Sequence, residues 1–371
     1  MERAELAAWL RLALTPGLGD ISARRLLAAF GLPGQVFAQD SVALGHVVAE
    51  AQVRALGQVP GGFEQQLEST LAWLDGAPAE RRIVVLGDAA YPPSLLNIED
   101  PPLMLYAQGV AWKGAADAIA VVGSRNPTPQ GRDNAQAFAR ALAQAGLTVV
   151  SGLALGVDGA AHEGALAGAA AGQLATIAVV GTGLDRVYPK RHLALAHRIA
   201  ERGLLLSEYP LGTPPLAPNF PRRNRIIAGL AQGTLVIEAA LESGSLITAR
   251  MAAEQGKEVF AVPGSIHSPQ SRGCHQLLRQ GAKLVESAQD VLEELRLAPR
   301  AATQPGPAAP ATVRDAPQVL AAMGFDPVGL DALIARTGMD AALLQARLLE
   351  LELAGDVSRL PGGLFQRRAS A

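Results

Sequence analysis

Cysteine is almost missing from this chain. Cys274 stands alone among 371 residues, which excludes an intramolecular disulfide framework and any zinc site built on cysteine. Aromatic residues make up only 4%, and lysine is scarce beside arginine. No excess of charge of either sign is present: 32 Lys and Arg against 34 Asp and Glu leave a formal net charge of −2. An anionic partner must then be held by a local cluster of arginines, not by the field of the whole molecule. No apolar run reaches the roughly 18 residues that span a bilayer. The first segment carries Glu2, Arg3, Glu5 and Arg11 and has no signal-peptide cleavage pattern. The expected location is the cytoplasm, with no membrane partner.

What is present falls into three blocks. Residues 1–75 read as helical, with Leu6, Leu10 and Leu14 at i+4 spacing, a Thr15-Pro16-Gly17-Leu18-Gly19 turn, and a second helix from Ile21 closed by Gly31. Helix, Gly-rich turn and helix resemble a helix-hairpin-helix that offers backbone N–H groups to phosphate. A plain αα-hairpin that needs Gly for a tight turn accounts for the same pattern.

Residues 82–297 alternate short β-rich apolar runs with stretches of helical length. Ala118–Gly123, Leu147–Ser151, Ala175–Gly181, Leu204–Ser207, Thr234–Glu238 and Glu258–Val262 are predicted strands, separated by predicted helices such as Gly131–Ala145, His192–Arg202 and Ser243–Gln255. This pattern predicts an α/β fold with an extended Rossmann-like parallel sheet covered on both faces. Ligands of such sheets bind outside the carboxyl ends of the strands. Residues 298–312, rich in Pro and Ala, read as a linker. Residues 313–371 carry three helix-like segments and a two-stranded wing at Asp356–Phe365, a winged-helix pattern. The helix that would read DNA there bears Glu350 and Glu352 against a single Arg347, a poor complement to phosphate.

The strand-end loops carry the chemistry. Gly123, Ser124 and Arg125 open a turn into a helix N-terminus, where backbone N–H groups and the dipole attract anions and Arg125 adds a bidentate donor. The loop is neither a P-loop nor a GxGxxG turn. Ser151 and Gly152 follow the next strand, and Ser243, Gly244, Ser245 and Thr248 line another helix start. Small and hydroxyl residues thus recur where a sugar–phosphate backbone could approach.

The densest cluster is Asn219, Phe220, Pro221, Arg222, Arg223, Asn224 and Arg225. Three arginines crowd the positive end of a helix dipole, which is unfavourable without an anion nearby. That anion is either a ligand or carboxylates such as Glu208 and Glu238. Phe220 offers a face for base stacking beside the arginines, as in sequence-tolerant single-strand binders. Arg222 and Arg225 are the expected contacts, while Arg223 falls on the apolar side of the helix and reads as structural. Asp158 and His162 share a helical face as a stabilising pair. No metal set, cofactor loop, G-x-S-x-G elbow or nucleophile–base pair is found, so no catalytic residue is expected.

Read in order, GSRNPTPQG, SGLALGVDGAAHEGAL, TIAVVGTGLDRVYP, LLSEYPLGTPP, FPRRNRIIAGL, ESGSLITARMA and VFAVPGSIHSPQSRGCHQLLRQGAKLVESAQDVL resemble the DNA-processing protein A family (DprA, or Smf) densely from Tyr91 to Leu295. His192, Leu155 and Val157 depart from the usual motifs. The helical N-terminal block, of SAM or helix-hairpin-helix type, and the winged helix match the family's longer members. The resemblance implies a non-catalytic recombination mediator of natural transformation. Such a protein binds and protects incoming single-stranded DNA and loads RecA onto it, displacing single-strand-binding protein. It also implies a homodimer formed through roughly Ala253 to Leu284, with Ala253, His275, Leu278 and Leu284 at the interface. Two other readings are a phosphoribohydrolase-like nucleotide hydrolase and a winged-helix transcription regulator. The PGGxGTxxE loop of the first is replaced here by Glu238 and SGSLIT.

Overall fold

A computed structural model describes residues 1–111, 117–296 and 318–368. The expected linker, 298–312, lies outside the described residues. Six helices come first: α1 (Arg3–Leu14), α2 (Gly19–Phe30), α3 (Pro33–Phe37), α4 (Ser41–Gly45), α5 (Glu50–Leu56) and α6 (Phe63–Asp75). Gly17 and Gly19 turn the chain between α1 and α2 with φ of +73° and +63°, a region that only glycine enters without cost.

Two strands follow that the sequence pattern did not predict, β1 (Arg81–Val85) and β2 (Met104–Gly109). They pair antiparallel with each other, and β2 pairs antiparallel with a strand of the main sheet. Leu6, Trp9, Leu10, Leu67 and Trp73 of the helices form one buried cluster with Val85, Met104 and Tyr106 of these strands. Trp73 meets Tyr106 edge-on, with ring centroids 5.9 Å apart, the arrangement that aromatic quadrupoles favour. The N-terminal helices therefore share their core with the edge of the sheet.

The main body alternates as expected: β3 (Ala118–Val122), α7 (Pro129–Gln144), β4 (Thr148–Ser151), α8 (Val157–Gly168), β5 (Thr176–Val179), α9 (Leu193–Arg202), β6 (Leu204–Ser207), α10 (Asn219–Leu230), β7 (Gly233–Val236), α11 (Ser245–Glu254), β8 (Glu258–Ala261), α12 (Arg272–Arg279), β9 (Lys283–Leu284) and α13 (Ala288–Glu294). The nine strands lie in the order β1-β2-β6-β5-β4-β3-β7-β8-β9, parallel from β6 to β9. Nearly every residue of β3 to β7 is buried, because helices cover both faces and each strand must be apolar on both sides. The chain progresses from β3 through β4 to β6 on one side and resumes at β7 on the other. The β3–β7 boundary is therefore the topological switch point, where crossover helices diverge and leave a crevice at the strand ends.

The last described segment has α14 (Gln318–Met323), β10 (Val328–Gly329), α15 (Leu330–Thr337), α16 (Ala341–Leu353), β11 (Val357–Leu360) and β12 (Leu364–Arg367). Its sheet runs β10-β12-β11, and Val319, Leu333, Leu344, Leu348 and Phe365 belong to a separate core. This is a winged helix. Arg368, just after β12, grips Asp133 of α7 through two hydrogen bonds of 2.8 and 2.9 Å. Among the described residues, no helix is long and apolar enough to cross a membrane.

Candidate nucleic-acid interface

A cleft of about 430 Å³ opens at the switch point. Its walls come from the loop after β3, the first turns of α10 and the start of α11, with Ala154 and Asp158 behind them. Each wall is held by identifiable contacts.

The Gly123-Ser124-Arg125 loop is pinned from the neighbouring strand. The Ser124 N–H donates to the Glu238 carbonyl at 2.7 Å, and the Ser124 hydroxyl accepts from Asn126 N–H at 3.1 Å. The Glu238 carboxylate accepts from both the N–H (2.9 Å) and the hydroxyl (2.6 Å) of Thr128, which caps α7 by accepting from Gly131 N–H. A Cβ at Gly131 would stand 2.3 Å from the Glu238 carboxyl carbon, so only glycine lets the two approach. Burial pushes the Glu238 carboxyl up, with the Thr128 hydrogen bonds opposing. Glu238 thus serves the loop and does not pair with the arginines, as one sequence reading allowed.

Held this way, Arg125 extends into solvent over the cleft. Its guanidinium carbon lies 5.7 Å from the Phe220 ring centroid, and that ring lies 5.7 Å from the ring of Tyr188, at 38° between planes. Tyr188 is 48% exposed. Just beyond it, Lys190 and Arg191 are exposed on a single 3₁₀ turn. A cation and two aromatic rings therefore follow one another outward from the cleft, with two exposed cations next along the chain. Tyr188, Lys190 and Arg191 were not singled out from the sequence, since nothing in it places the loop after β5 beside the start of α10. On the other side, Ser243 and Ser245 share a hydroxyl contact of 2.7 Å, and both line the cleft with Gly244 and Thr248.

Arg223 is 4% exposed and forms part of the cleft floor. Its guanidinium donates to the Gly152 carbonyl at 2.7 Å and to the Val179 carbonyl, joining α10 to the ends of β4 and β5. Burial lowers its pKa to about 10, while the Asp158 carboxylate acts to raise it. Asp158 in turn accepts from the N–H groups of Gly152 and Ala154.

Residues 82–296 of this chain match the family model described as DNA recombination-mediator protein A. The chain belongs to that family. A second model, the DprA winged helix domain, matches residues 301–363. The recombination-mediator relatives include protein Smf of Escherichia coli, 42% identical over 314 residues and covering 82% of each chain. The DNA processing protein DprA of Streptococcus pneumoniae is 48% identical over 207 residues, 56% of this chain and 72% of that one. Among solved structures, S. pneumoniae DprA aligns with a TM-score of 0.60 at 36% identity, over 79% of this chain and 98% of that chain. DNA processing protein A of Helicobacter pylori, studied for its single-stranded DNA binding mode, aligns with a TM-score of 0.52 at 32% identity, over 58% and 96%.

Within this recombination-mediator fold, several residues expected at the interface are placed elsewhere. Arg222 and Arg225 do not enter the cleft. At 100° per residue they project from the side of α10 opposite Phe220, Asn224 and Ile227, which line it. Arg225 is 8% exposed and lies 2.6 Å from Glu208, 3.4 Å from Asp20 and 3.5 Å from Asp100. Arg222 reaches Asp20 at 2.9 Å and Glu208 at 3.9 Å. The anion that three arginines at a helix N-terminus require is thus a carboxylate cluster supplied partly by α2. The first turn of α2 meets α10 through Asp20, and the Gly17 and Leu18 carbonyls of the hairpin turn accept from the Gln52 amide at 2.9 and 3.2 Å. Ser151 is fully buried, and its hydroxyl donates to the Val121 carbonyl at 2.7 Å. Gly152 is the space that Arg223 fills: a Cβ there would lie 2.7 Å from the guanidinium. Asn219 donates to the Gly181 carbonyl at 3.0 Å, anchoring α10 behind the cleft. Asp158 and His162 do not pair; His162 Nδ1 meets Thr176 Oγ1 at 2.7 Å, and burial pushes its imidazole down to about 3.

Replacement of Arg222 by alanine should consequently change affinity for single-stranded DNA by no more than about twofold, far less than loss of Arg125. Parallel fluorescence-anisotropy titrations of the two variants check this. The four residues expected at a dimer interface lie on α11 (Ala253), α12 (His275 and Leu278) and the edge strand β9 (Leu284). Ala253 lines a second cavity of about 390 Å³ with Leu241, Ile247 and Leu277. Leu284 is 54% exposed on the edge strand β9.

Proposed function

We propose that this chain is a single-stranded DNA-binding recombination mediator that binds without catalysis, its strand track running along the Arg125–Phe220–Tyr188 mouth of the switch-point cleft. The observation that carries this reading is the guanidinium over one accessible ring with a second ring beside it. Every base has a π-face, so such an array accepts any sequence, and the arginine and the following Lys190 and Arg191 meet the backbone. Small residues and hydroxyls at Ser124, Ser243, Gly244 and Ser245 allow close approach of a sugar–phosphate. The H. pylori relative, named for its single-stranded DNA binding mode, supports the same ligand. Of the carboxylates at the cleft and behind its loop, Asp158 is engaged by two backbone N–H groups and Glu238 by Thr128, and Glu242 stands exposed at the rim.

On this reading the protein acts in the cytoplasm, protects incoming strands during transformation, and hands them to RecA in place of single-strand-binding protein. It works as a homodimer built through Ala253, His275, Leu278 and Leu284. A salt titration with oligo-dT and with duplex of equal length tests the first step. Binding of oligo-dT should be the tighter, with log K falling linearly in log salt at ~0.7 per neutralised phosphate. Equal affinity for duplex, or free base released from nucleoside monophosphates, would favour the regulator or the hydrolase.

A further inference from the structure

Helix α16 is apolar on two opposite sides, and only one of them is used by its own domain. Leu344, Leu348 and Leu351 are buried in the winged-helix core. Ala342, Ala346, Leu349 and Leu353 share the opposite side, about 160° away at 100° per residue, and all four are exposed. Leu349 is 57% and Leu353 81% exposed, and Leu343 at the margin is 53% exposed. An apolar stripe of this kind on a short helix signals a surface that meets another molecule. The stripe sits on the helix that would enter a major groove, where Glu350 and Glu352 oppose phosphate and Arg347 is 2.7 Å from Glu350.

We propose that this face of α16 pairs antiparallel with the same face of a second copy of the chain. The 4-3-4 spacing of Ala342, Ala346, Leu349 and Leu353 is that of a coiled-coil seam. A two-fold axis passing between Arg347 and Leu348 sets Ala342 against the partner's Leu353 and Ala346 against the partner's Leu349. Each layer then combines one small and one large side chain, and the helices keep a constant separation. A parallel pair would stack alanine on alanine at one end and leucine on leucine at the other, forcing the axes apart. The flanking residues agree with the antiparallel arrangement. Gln345 faces the partner's Glu352 and Leu343 faces the partner's Glu350, so no two carboxylates are opposed.

The seam is only four layers long, well short of the roughly 1,200 Å² that a stable standalone interface buries. It is therefore a weak contact that forms when copies are already close. If the strand-binding reading holds, adjacent copies on one DNA strand meet that condition through a raised effective concentration. Together with a separate two-fold contact at the β9 edge, it would link more than two copies, into a closed dihedral assembly where the two axes meet and into an open array where they do not.

Disulfide trapping of the full chain, without DNA and at high protein concentration, tests the pairing and its direction. Leu349 and Ala346 are exposed, so Ala346→Cys and Leu349→Cys leave the core intact, and the natural Cys274 is fully buried. A mixture of the two variants should yield at least severalfold more cross-linked dimer than either variant alone. Adding Leu353→Glu to both chains should remove the excess. Cross-linking of Ala346→Cys with itself as readily as in the mixture would overturn the antiparallel pairing. No trapped dimer above background in any combination would overturn self-pairing altogether. Strand binding through Arg125 takes no part in this readout, so the two ideas fail separately.

Discussion

Replacing Phe220 by alanine should weaken binding of oligo-dT by roughly 5- to 150-fold, the ~1–3 kcal/mol that one stacked base is worth. The ring lies between the Arg125 guanidinium and Tyr188, 5.7 Å from each. Its loss therefore removes a stacking face and also the surface that holds Arg125 over the cleft. Arg125→Ala should cost about tenfold and flatten the log K against log salt slope by ~0.7, one phosphate contact. Phe220→Ala should leave that slope nearly unchanged, because stacking releases no counterion. The double variant should lose less than the product of the single losses, since the two side chains touch. Anisotropy titrations across a salt series read both quantities. If both single variants kept the parental affinity and slope, the strand would not run along this mouth.

Arg225→Ala should destabilise the fold by ~3–5 kcal/mol, the cost of leaving buried carboxylates without their cation. Glu208, Asp20 and Asp100 all stand within 3.5 Å of this one guanidinium. Burial already pushes the Glu208 and Asp20 carboxyls up, and the two arginines oppose that push. With Arg225 gone, both should rise further. The native state then binds more protons than the unfolded chain between the ordinary carboxylate range and the raised values. Stability of the variant should accordingly fall as pH rises through that window, and recover as pH is lowered toward it from neutrality. Urea unfolding of the variant at neutral and mildly acidic pH measures this. A flat pH response would show that the cluster is solvated in a way these contacts do not indicate.

Much of this was legible without coordinates. Strands β3 to β8 announce themselves as continuous apolar runs because a parallel sheet covered by helices must be apolar on both faces. Strands β1 and β2 were missed, since they form an antiparallel margin whose partner surface is the N-terminal helices. Strand β9, two residues long, is too short for any pattern. The placement of Arg223 on the apolar side of α10 followed from helical periodicity, and it is indeed buried. Periodicity could not say which side of the helix faces the cleft, and the structure sets Arg222 and Arg225 on the side away from it, against Asp20 and Glu208.

The sequence by itself determined the alternation of strands and helices, the family motifs, and the need for an anion beside the three arginines of 222–225. Each of these is local, set by hydrophobic periodicity or by the field at a helix terminus. Only the tertiary structure decided what that anion is. Asp20 is about two hundred positions away along the chain, and Asp100 and Glu208 come from separate loops. They converge on Arg225 because α1 and α6 pack on β1 and β2, carrying α2 against α10. Arg125, Phe220 and Tyr188 meet on the other side of the helix start, away from that carboxylate cluster. Long-range burial, which no local pattern encodes, thus committed Arg222, Arg223 and Arg225 to contacts within the protein.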